Sequence, residues 1–570
     1  MKKVILAIVA LLLTVSVEAK VIKITMADGS VRVFASAELE SIEFGDDAML
    51  TVTTYDGHTI NMGNARFDVI DIDDEAEIVS IKDTVVSLPI GDDPITRQVK
   101  KMDFVYPSVD PQGNPVTLSG TVLIPLEIWE GETKSDGIIL VNHFTTMLKQ
   151  QAPTRGFFGL ESLYIASPFK ANYICVMSDF FGFGVTERYP QAFVQGTANG
   201  YASIHALLAA RKLLTRQGID YGSLLFNMGY SSGGFDAMAT LKVRDNEYRD
   251  EVWFDKTFAG GGPYDVNACY EDFQKTDTTS FICGVVMTMV ATNELQKLGI
   301  PYSDMFCPPF DTKIPSWVLA KEMHQFALRD SISKTAKYIS DVIGPKIIDS
   351  STPEAHKLND AFTAISLIHD WEPDPTQKIY LLHAREDDFV PFSSAHPLLE
   401  FLKNAGYENN IYAGRTNLQS NFAFKKLGHI TTGALFALET LFALTAWPTI
   451  YDENHQMKES YAEILAQENS SALTTMLLMN EVGIDTGWLR SLFSQMQETV
   501  DKIIQDPDKQ KSEDEEEEES STLLTLLQTY LDLIPDDETE EAAMNADCGA
   551  DVRTYIKRLR NLLILIGVLG

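Results

Sequence analysis

Cysteine is scarce, with five in 570 residues, and the count is odd: Cys175, Cys269, Cys283, Cys307 and Cys548. So sparse a set argues against a disulfide scaffold. Cys269, Cys283 and Cys307 lie close enough in sequence for one bridge in an oxidising compartment, with free buried thiols as the equal alternative. No Cys-x-x-Cys pair and no histidine-rich spacing suggests zinc, so no metal is expected. Positive charge is also short. Lys and Arg number 46 against 81 Asp and Glu, a formal net charge of −35, which argues against nucleic acid as a partner and disfavours an anionic membrane surface. The first apolar run of the chain is too short and wrongly flanked to span a bilayer. That run, Val4–Val15, sits between a basic Met1-Lys2-Lys3 and a small-residue Val17-Glu18-Ala19, the pattern of a signal peptide over residues 1–19. The chain is therefore expected to be exported, to the periplasm, the cell surface or the medium. No cysteine opens the mature chain to carry a lipid anchor.

What is present centres on Gly229-Tyr230-Ser231-Ser232-Gly233. Leu224–Met228 before it is a short apolar run, as in a buried strand, and Gly234–Lys242 after it reads as a helix. A serine on a sharp strand-to-helix turn has its Oγ pushed into the open, and the flanking glycines let neighbouring backbone approach. A nucleophilic serine needs a base, and the base an orienting acid. Downstream, the strand-like Lys378–Leu382 leads into His383-Ala384-Arg385-Glu386-Asp387-Asp388-Phe389-Val390-Pro391. Beyond that loop remain His396, His429 and His455. His396 is too near the acid loop to come from a separate strand end, and His455 lies past the apolar helix Ala434–Trp447. His429 follows a strand-like Asn421–Lys425 run and Gly428, and opens the helix.

These residues together resemble the α/β-hydrolase superfamily, in which serine, acid and histidine follow in that chain order, each on a loop after a later strand. The segment from about Ile95 to Trp447 carries the likeness, and it is most similar to the secretory lipase and esterase branch. Ile174–Gly184 resembles that branch's strand followed by an aspartate-aromatic-glycine loop, and Gly262-Pro263-Tyr264-Asp265 its Gly-Pro-Tyr-Asp turn. The resemblance implies Ser231 as nucleophile and His429 as base. It implies Asp387 as the acid, four residues before Pro391, with Asp388 as the alternative and a solvated loop carboxylate as the lesser role of the pair. It also implies an oxyanion hole from the N–H of Ser232 and one from the loop after Gly137–Asn142. There Phe144 stands where many members have glycine, so Phe144 or Thr145 is the second donor or else plain pocket wall.

The organisation expected is an α/β fold with a helical cap. Residues 20–80 form a small β module, broken at Asp28-Gly29, Gly45-Asp46-Asp47 and Asp56-Gly57. The hydrolase domain covers 85–450, opening on strands Arg97–Tyr106 and Val116–Ile124. A cap insertion runs from about 268 to 375, with helical patterns at Phe281–Lys297, Ile314–Ile343 and Pro353–His369. In the cap, Met287, Met289, Trp317, Met323 and Phe326 would suit an acyl chain, with ordinary helix core as the favoured alternative. Residues 451–570 form a helical C-terminal region with an acidic run at 513–519, read as a solvated loop. Its last helix, Thr554–Leu569, is expected to dock on the protein, since its apolar end is too short to span a bilayer.

The expected function is cleavage of carboxylic esters, small or polysaccharide-linked, through an acyl-enzyme, a mechanism expected to need no cofactor. A peptidase of the same fold and a non-catalytic surface binding protein are the alternatives. No propeller repeats and no acidic amine-binding pair support the peptidase, and the intact Ser-Asp-His order argues against a retired enzyme. The sequence sets no oligomeric state.

Overall fold

Strand-forming segments lead the chain, in short alternating runs punctuated by turn residues. The protein is described here from a computed structural model, which covers residues 20–25, 31–35, 39–44, 50–54, 59–62, 66–71, 76–88, 95–156, 165, 172–407, 417–423 and 428–450. The expected signal peptide, the 451–570 region with its acidic run, and Cys548 lie outside the described residues.

Six short strands come first: β1 (Lys20–Thr25), β2 (Val31–Ala35), β3 (Leu39–Phe44), β4 (Leu50–Thr54), β5 (Thr59–Met62) and β6 (Arg66–Asp71). They pair into two antiparallel sheets of order β2-β1-β6 and β3-β4-β5. The next strand, β7 (Glu77–Leu88), crosses the expected boundary at 80–85. It pairs antiparallel with β8 (Ile95–Val109) as the edge of the large sheet. An edge strand with one exposed face carries polar residues throughout, as in Glu77-Ile78-Val79-Ser80-Ile81-Lys82, and so gives no apolar run to mark it.

The large sheet has nine strands in the order β15-β14-β13-β12-β10-β11-β9-β8-β7. β9 is Pro115–Pro125, β10 Gly137–Asn142, β11 Tyr173–Ser178, β12 Leu224–Tyr230, β13 Lys256–Gly260, β14 Ile379–Ala384 and β15 Leu418–Ala423. β10 to β15 run parallel, and β7, β8 and β9 pair antiparallel at one side. The parallel strands read as near-continuous apolar runs because both faces are covered. β10, β11, β13 and β14 are buried along their whole length. Helix α1 (Gly196–Arg216) links β11 to β12, and α2 (Ser232–Glu247) links β12 to β13. β10 lies between β11 and β12, so the strand order reverses there, and the carboxyl ends of β10 and β12 border the crevice where α/β sheets bind ligands.

Between β13 and β14 lie the helices of the insertion: α3 (Val266–Thr276), α4 (Ile282–Leu295), α5 (Phe310–Ala320), α6 (Gln325–Ser333) and α7 (Pro353–Ile365). The continuous helical pattern expected over Ile314–Ile343 is broken after Ala320. Lys321 adopts a left-handed φ of 53° and ends α5. Its ammonium is fully buried and donates to the carbonyls of Gly182, Glu187 and Tyr189 at 2.5–2.6 Å, tying the insertion to the loop after β11. Burial, then the nearby Lys149, push this lysine down to about 7. Helix α8 (Ala395–Asn404) follows β14, and α9 (His429–Ile450) follows β15. Cys175, Cys269, Cys283 and Cys307 are free thiols, so the one bridge considered among the last three is not formed.

Candidate active site

Ser231 sits between the end of β12 and the first residue of α2, with φ 60° and ψ −126°. A side-chain-bearing residue rarely adopts such a conformation, and it holds here because the turn is bonded on both sides. The Ser231 N–H donates to Gly260 O at 2.8 Å, and its carbonyl accepts from Gly234 and Phe235 at 2.9 and 3.2 Å. The glycines of the turn leave no room for a methyl group. A Cβ on Gly233 would stand 2.2 Å from Asn142 O, and one on Gly229 2.1 Å from Gly233 O.

The loops after β14 and β15 bring the expected acid and histidine to this serine. His429 Nε2 is 2.9 Å from Ser231 Oγ, and His429 Nδ1 is 2.7 Å from Asp387 Oδ2. The Asp387 side chain is fully buried, and its Oδ1 accepts from the backbone N–H of Phe389 and Val390 at 2.9 and 2.7 Å. Burial alone would raise this carboxyl. His429, its hydrogen bond, His383 and the Val390 N–H outweigh it and hold the carboxyl below its ordinary range. A carboxylate facing Nδ1 requires that nitrogen to carry the proton, which leaves Nε2 as an acceptor for the serine hydroxyl.

Asp388 has a different task. Its Oδ1 accepts the His429 backbone N–H at 2.8 Å, so it holds the histidine's loop rather than its ring. The solvated role expected for one of the pair thus understates it, although the residue is exposed. His383 is buried, and its Nε2–H donates to Val390 O at 2.9 Å, bracing the same loop.

Two further side chains hold the imidazole and were not singled out in the sequence. Tyr230, the variable residue of the Gly-x-Ser-x-Gly turn, donates its hydroxyl to His429 O at 2.6 Å and lies against the ring at 5.1 Å. Phe389 also stacks on the ring, at 5.1 Å and 23°. For Tyr230 the motif offered no signal, since any residue fills that position. For Phe389 the only signal was its place in the acid loop.

The three residues considered for the oxyanion hole lie together beside Ser231. Ser232 opens the 16-residue α2, where free N–H groups and the helix dipole favour negative charge. Thr145 Oγ1 donates to Ser232 Oγ at 3.3 Å, and the Thr145 carbonyl accepts from Gln325 Nε2 at 2.8 Å. Phe144 and Thr145 line one cleft with Ser231.

Of the five cap residues weighed for an acyl chain, Phe326 alone lines a cleft that reaches Ser231. Met287 and Met289 are fully buried in the hydrophobic core, and Trp317 and Met323 pack against that core, half-buried. Met287, Met289 and Trp317 are helix core, the alternative the sequence favoured, and Met323 packs on the core from the link between α5 and α6.

Residues 149–431 match the family described as Secretory lipase. No curated protein matches the chain. Among solved structures, a presumed hydrolase from Legionella pneumophila is 20% identical, with a TM-score of 0.52 over 61% of this chain and 88% of that one. The rice cell wall degrading esterase LipA from Xanthomonas oryzae is 18% identical, with a TM-score of 0.52 over 65% of this chain and 96% of that one. At such identities the shared property is the fold.

Proposed function

We propose, from the premise that this chain is an α/β-hydrolase most like the secretory lipases, that it is an exported serine hydrolase of carboxylic esters. One observation carries the reading: the unbroken hydrogen-bonded line from Ser231 Oγ through His429 to Asp387, at 2.9 and 2.7 Å. Ser231 attacks the acyl carbon while His429 Nε2 takes its proton. The negative charge that develops on the acyl oxygen is met by the N–H of Ser232 and one from Phe144 or Thr145, each such donor being worth about 10²–10³ in rate. His429 then returns the proton to the leaving alcohol, and Asp387 steadies the imidazolium throughout. Water repeats the sequence on the acyl-enzyme and frees the acid.

The strained Ser231 backbone fits this role, because strain of that kind persists where the surrounding structure imposes it, and such places cluster at reacting atoms. The test is a panel of acyl and aryl esters beside short peptide amides, using the purified mature protein. The expected result is ester turnover far above amide turnover. A folded protein that hydrolyses neither would overturn the reading, and one that prefers amides would make it a peptidase.

A further inference from the structure

The loop after β10, residues 143–148, borders the cleft at Ser231, and side chains hold its peptide planes where no strand partner does. His143 Nδ1–H donates to Phe144 O at 3.0 Å and so fixes the plane of the Phe144–Thr145 peptide. In a trans peptide the N–H points opposite the carbonyl, so the Thr145 N–H is turned away from the His143 ring. Gln325 Nε2–H donates to Thr145 O at 2.8 Å and fixes the next plane. The two backbone dihedrals of Thr145 are thus set from both sides. Thr145 Oγ1 adds the 3.3 Å bond to Ser232 Oγ, and no backbone carbonyl of the described residues accepts the Thr145 N–H.

Gln325 comes from the insertion. It is the first residue of α6, it is 1% exposed, and it lines the same cleft as Ser231 and His429. The junction that carries it grips the loop at a second point, where the Lys149 N–H donates to Lys321 O at 3.0 Å. Lys321 is itself anchored to the loop after β11 through its ammonium. Beyond Thr145, Gln151 Oε1 accepts the N–H groups of Met147 and Leu148 at 3.1 and 3.0 Å. An amide is a poor choice for packing alone at position 325. Its Oε1 is buried without a partner among the described residues, a cost that an apolar side chain of the same size would avoid. What the amide adds is the donor on Thr145.

We infer that Gln325 is a positioning residue for the oxyanion hole: by holding the Thr145 carbonyl it keeps the Thr145 N–H, beside that of Ser232, aimed at the oxygen of the attacked ester. The insertion thereby completes the site. The inference rests on the serine-hydrolase reading above. As Ser231 Oγ bonds to the acyl carbon, its proton passes to His429 Nε2 and the carbonyl electron pair moves onto the acyl oxygen, where the two N–H groups meet it. When the pair returns, the bond to the alcohol oxygen breaks and that oxygen takes the proton from His429. Gln325 touches none of these atoms and acts through Thr145. The charge it serves exists only on the way to the tetrahedral intermediate, so its loss belongs in kcat and not in KM.

The experiment compares wild type, Gln325→Met and Gln325→Glu on an activated short-chain ester and on its thiono analogue, whose sulfur is a weak hydrogen-bond acceptor. Circular dichroism checks the fold. Methionine fills the same space without a donor. Its kcat on the ester should fall by about 10–10²-fold, short of the loss of a whole oxyanion donor, with KM within about twofold of wild type. On the thionoester it should stay near wild type, so the ester-to-thionoester ratio shrinks by the same factor. A side chain that merely packs would lower both alike. Gln325→Glu adds a pH signature. Protonated, its carboxyl donates to the Thr145 carbonyl as the amide does; ionised, it sets oxygen against oxygen. Its kcat relative to wild type should therefore fall as pH rises through the raised pKa of a buried carboxyl, and this trend serves alone if the methionine variant does not fold. Wild-type kcat in Gln325→Met, equal losses on ester and thionoester, a change confined to KM, or a glutamate-to-wild-type ratio that stays flat or rises with pH would overturn the inference. Failure of the hydrolase reading itself looks different: the wild type turns over neither substrate and Ser231 takes up no fluorophosphonate.

Discussion

Replacing Asp387 by asparagine tests the geometry at its most constrained point. The carboxylate has one oxygen on two backbone N–H groups, those of Phe389 and Val390, and the other on His429 Nδ1. An amide in the same place must keep its oxygen against the two N–H donors, since turning its NH₂ toward them would set three donors face to face. The NH₂ then points at Nδ1 and donates to it. The imidazole is driven to the other tautomer, with its proton on Nε2, 2.9 Å from Ser231 Oγ, where it can no longer accept the serine's proton. Turnover should fall by about 10³–10⁴, equivalent to roughly 4–5.5 kcal/mol in the barrier, with the fold retained. Asp388→Asn is the control. Its amide oxygen still accepts the His429 backbone N–H, so the loss should be small. The assay is kcat on an activated short-chain ester for both variants at one pH, with circular dichroism to confirm folding. A folded Asp387→Asn within tenfold of wild type, or a larger loss from Asp388→Asn, would refute the argument.

Three other outcomes follow from the same structure. Ser231→Ala and His429→Ala should each abolish turnover to a similar low level, and the double variant should be no worse, because the two act as one unit; Ser232→Ala, which loses only a 3.3 Å contact with Thr145, should cost far less, and kcat measurements on the four proteins decide the point. Gly233→Ala would drive a methyl group into the backbone of Asn142 and His143, so the urea midpoint should show a loss of about 3 kcal/mol or more, against little change if the turn can relax. Asp236 is buried in α2, and burial, opposed only by a hydrogen bond from Asn199, pushes its carboxyl up to about 8. The folded protein therefore keeps a proton there that the unfolded chain releases near pH 4, so the contribution of this group to stability falls as pH rises from about 4 to about 8. Asp236→Asn removes that dependence. The variant should gain on wild type across the window by up to roughly a few kcal/mol in urea titrations, and a difference that stays flat with pH would contradict the assignment.

The parallel strands and the loops that carry Ser231, Asp387 and His429 were legible because each announces itself locally. A strand buried on both faces is an apolar run, as in Ile138–Val141 and Leu224–Met228, and the turn at Ser231 must carry glycines where backbones touch. His429 opens its helix as expected, since Gly428 precedes a long apolar segment. What escaped the sequence depends on contacts distant along the chain. β7 is a strand because β8 pairs with it, and its own residues alternate too weakly to say so. The break after Ala320 comes from the buried Lys321, whose three acceptors lie more than a hundred residues earlier. The same holds within the site. Tyr230 matters because its hydroxyl meets a carbonyl 199 residues away, and Phe389 because it lies between His429 and Phe281. Apolar cap residues such as Met287 and Trp317 look alike in sequence whether they face a cleft or a core, and only packing separates them.

The central claim is that Ser231 Oγ is the nucleophile, and the most direct test is to map the covalent adduct. The purified protein is treated with a fluorophosphonate ester, digested, and the modified peptide located by mass spectrometry. The account predicts one adduct, on Ser231, formed in step with loss of ester turnover and lost or greatly slowed in His429→Ala. Stoichiometric modification of another residue, or full ester turnover by a protein whose Ser231 remains unmodified, would contradict it.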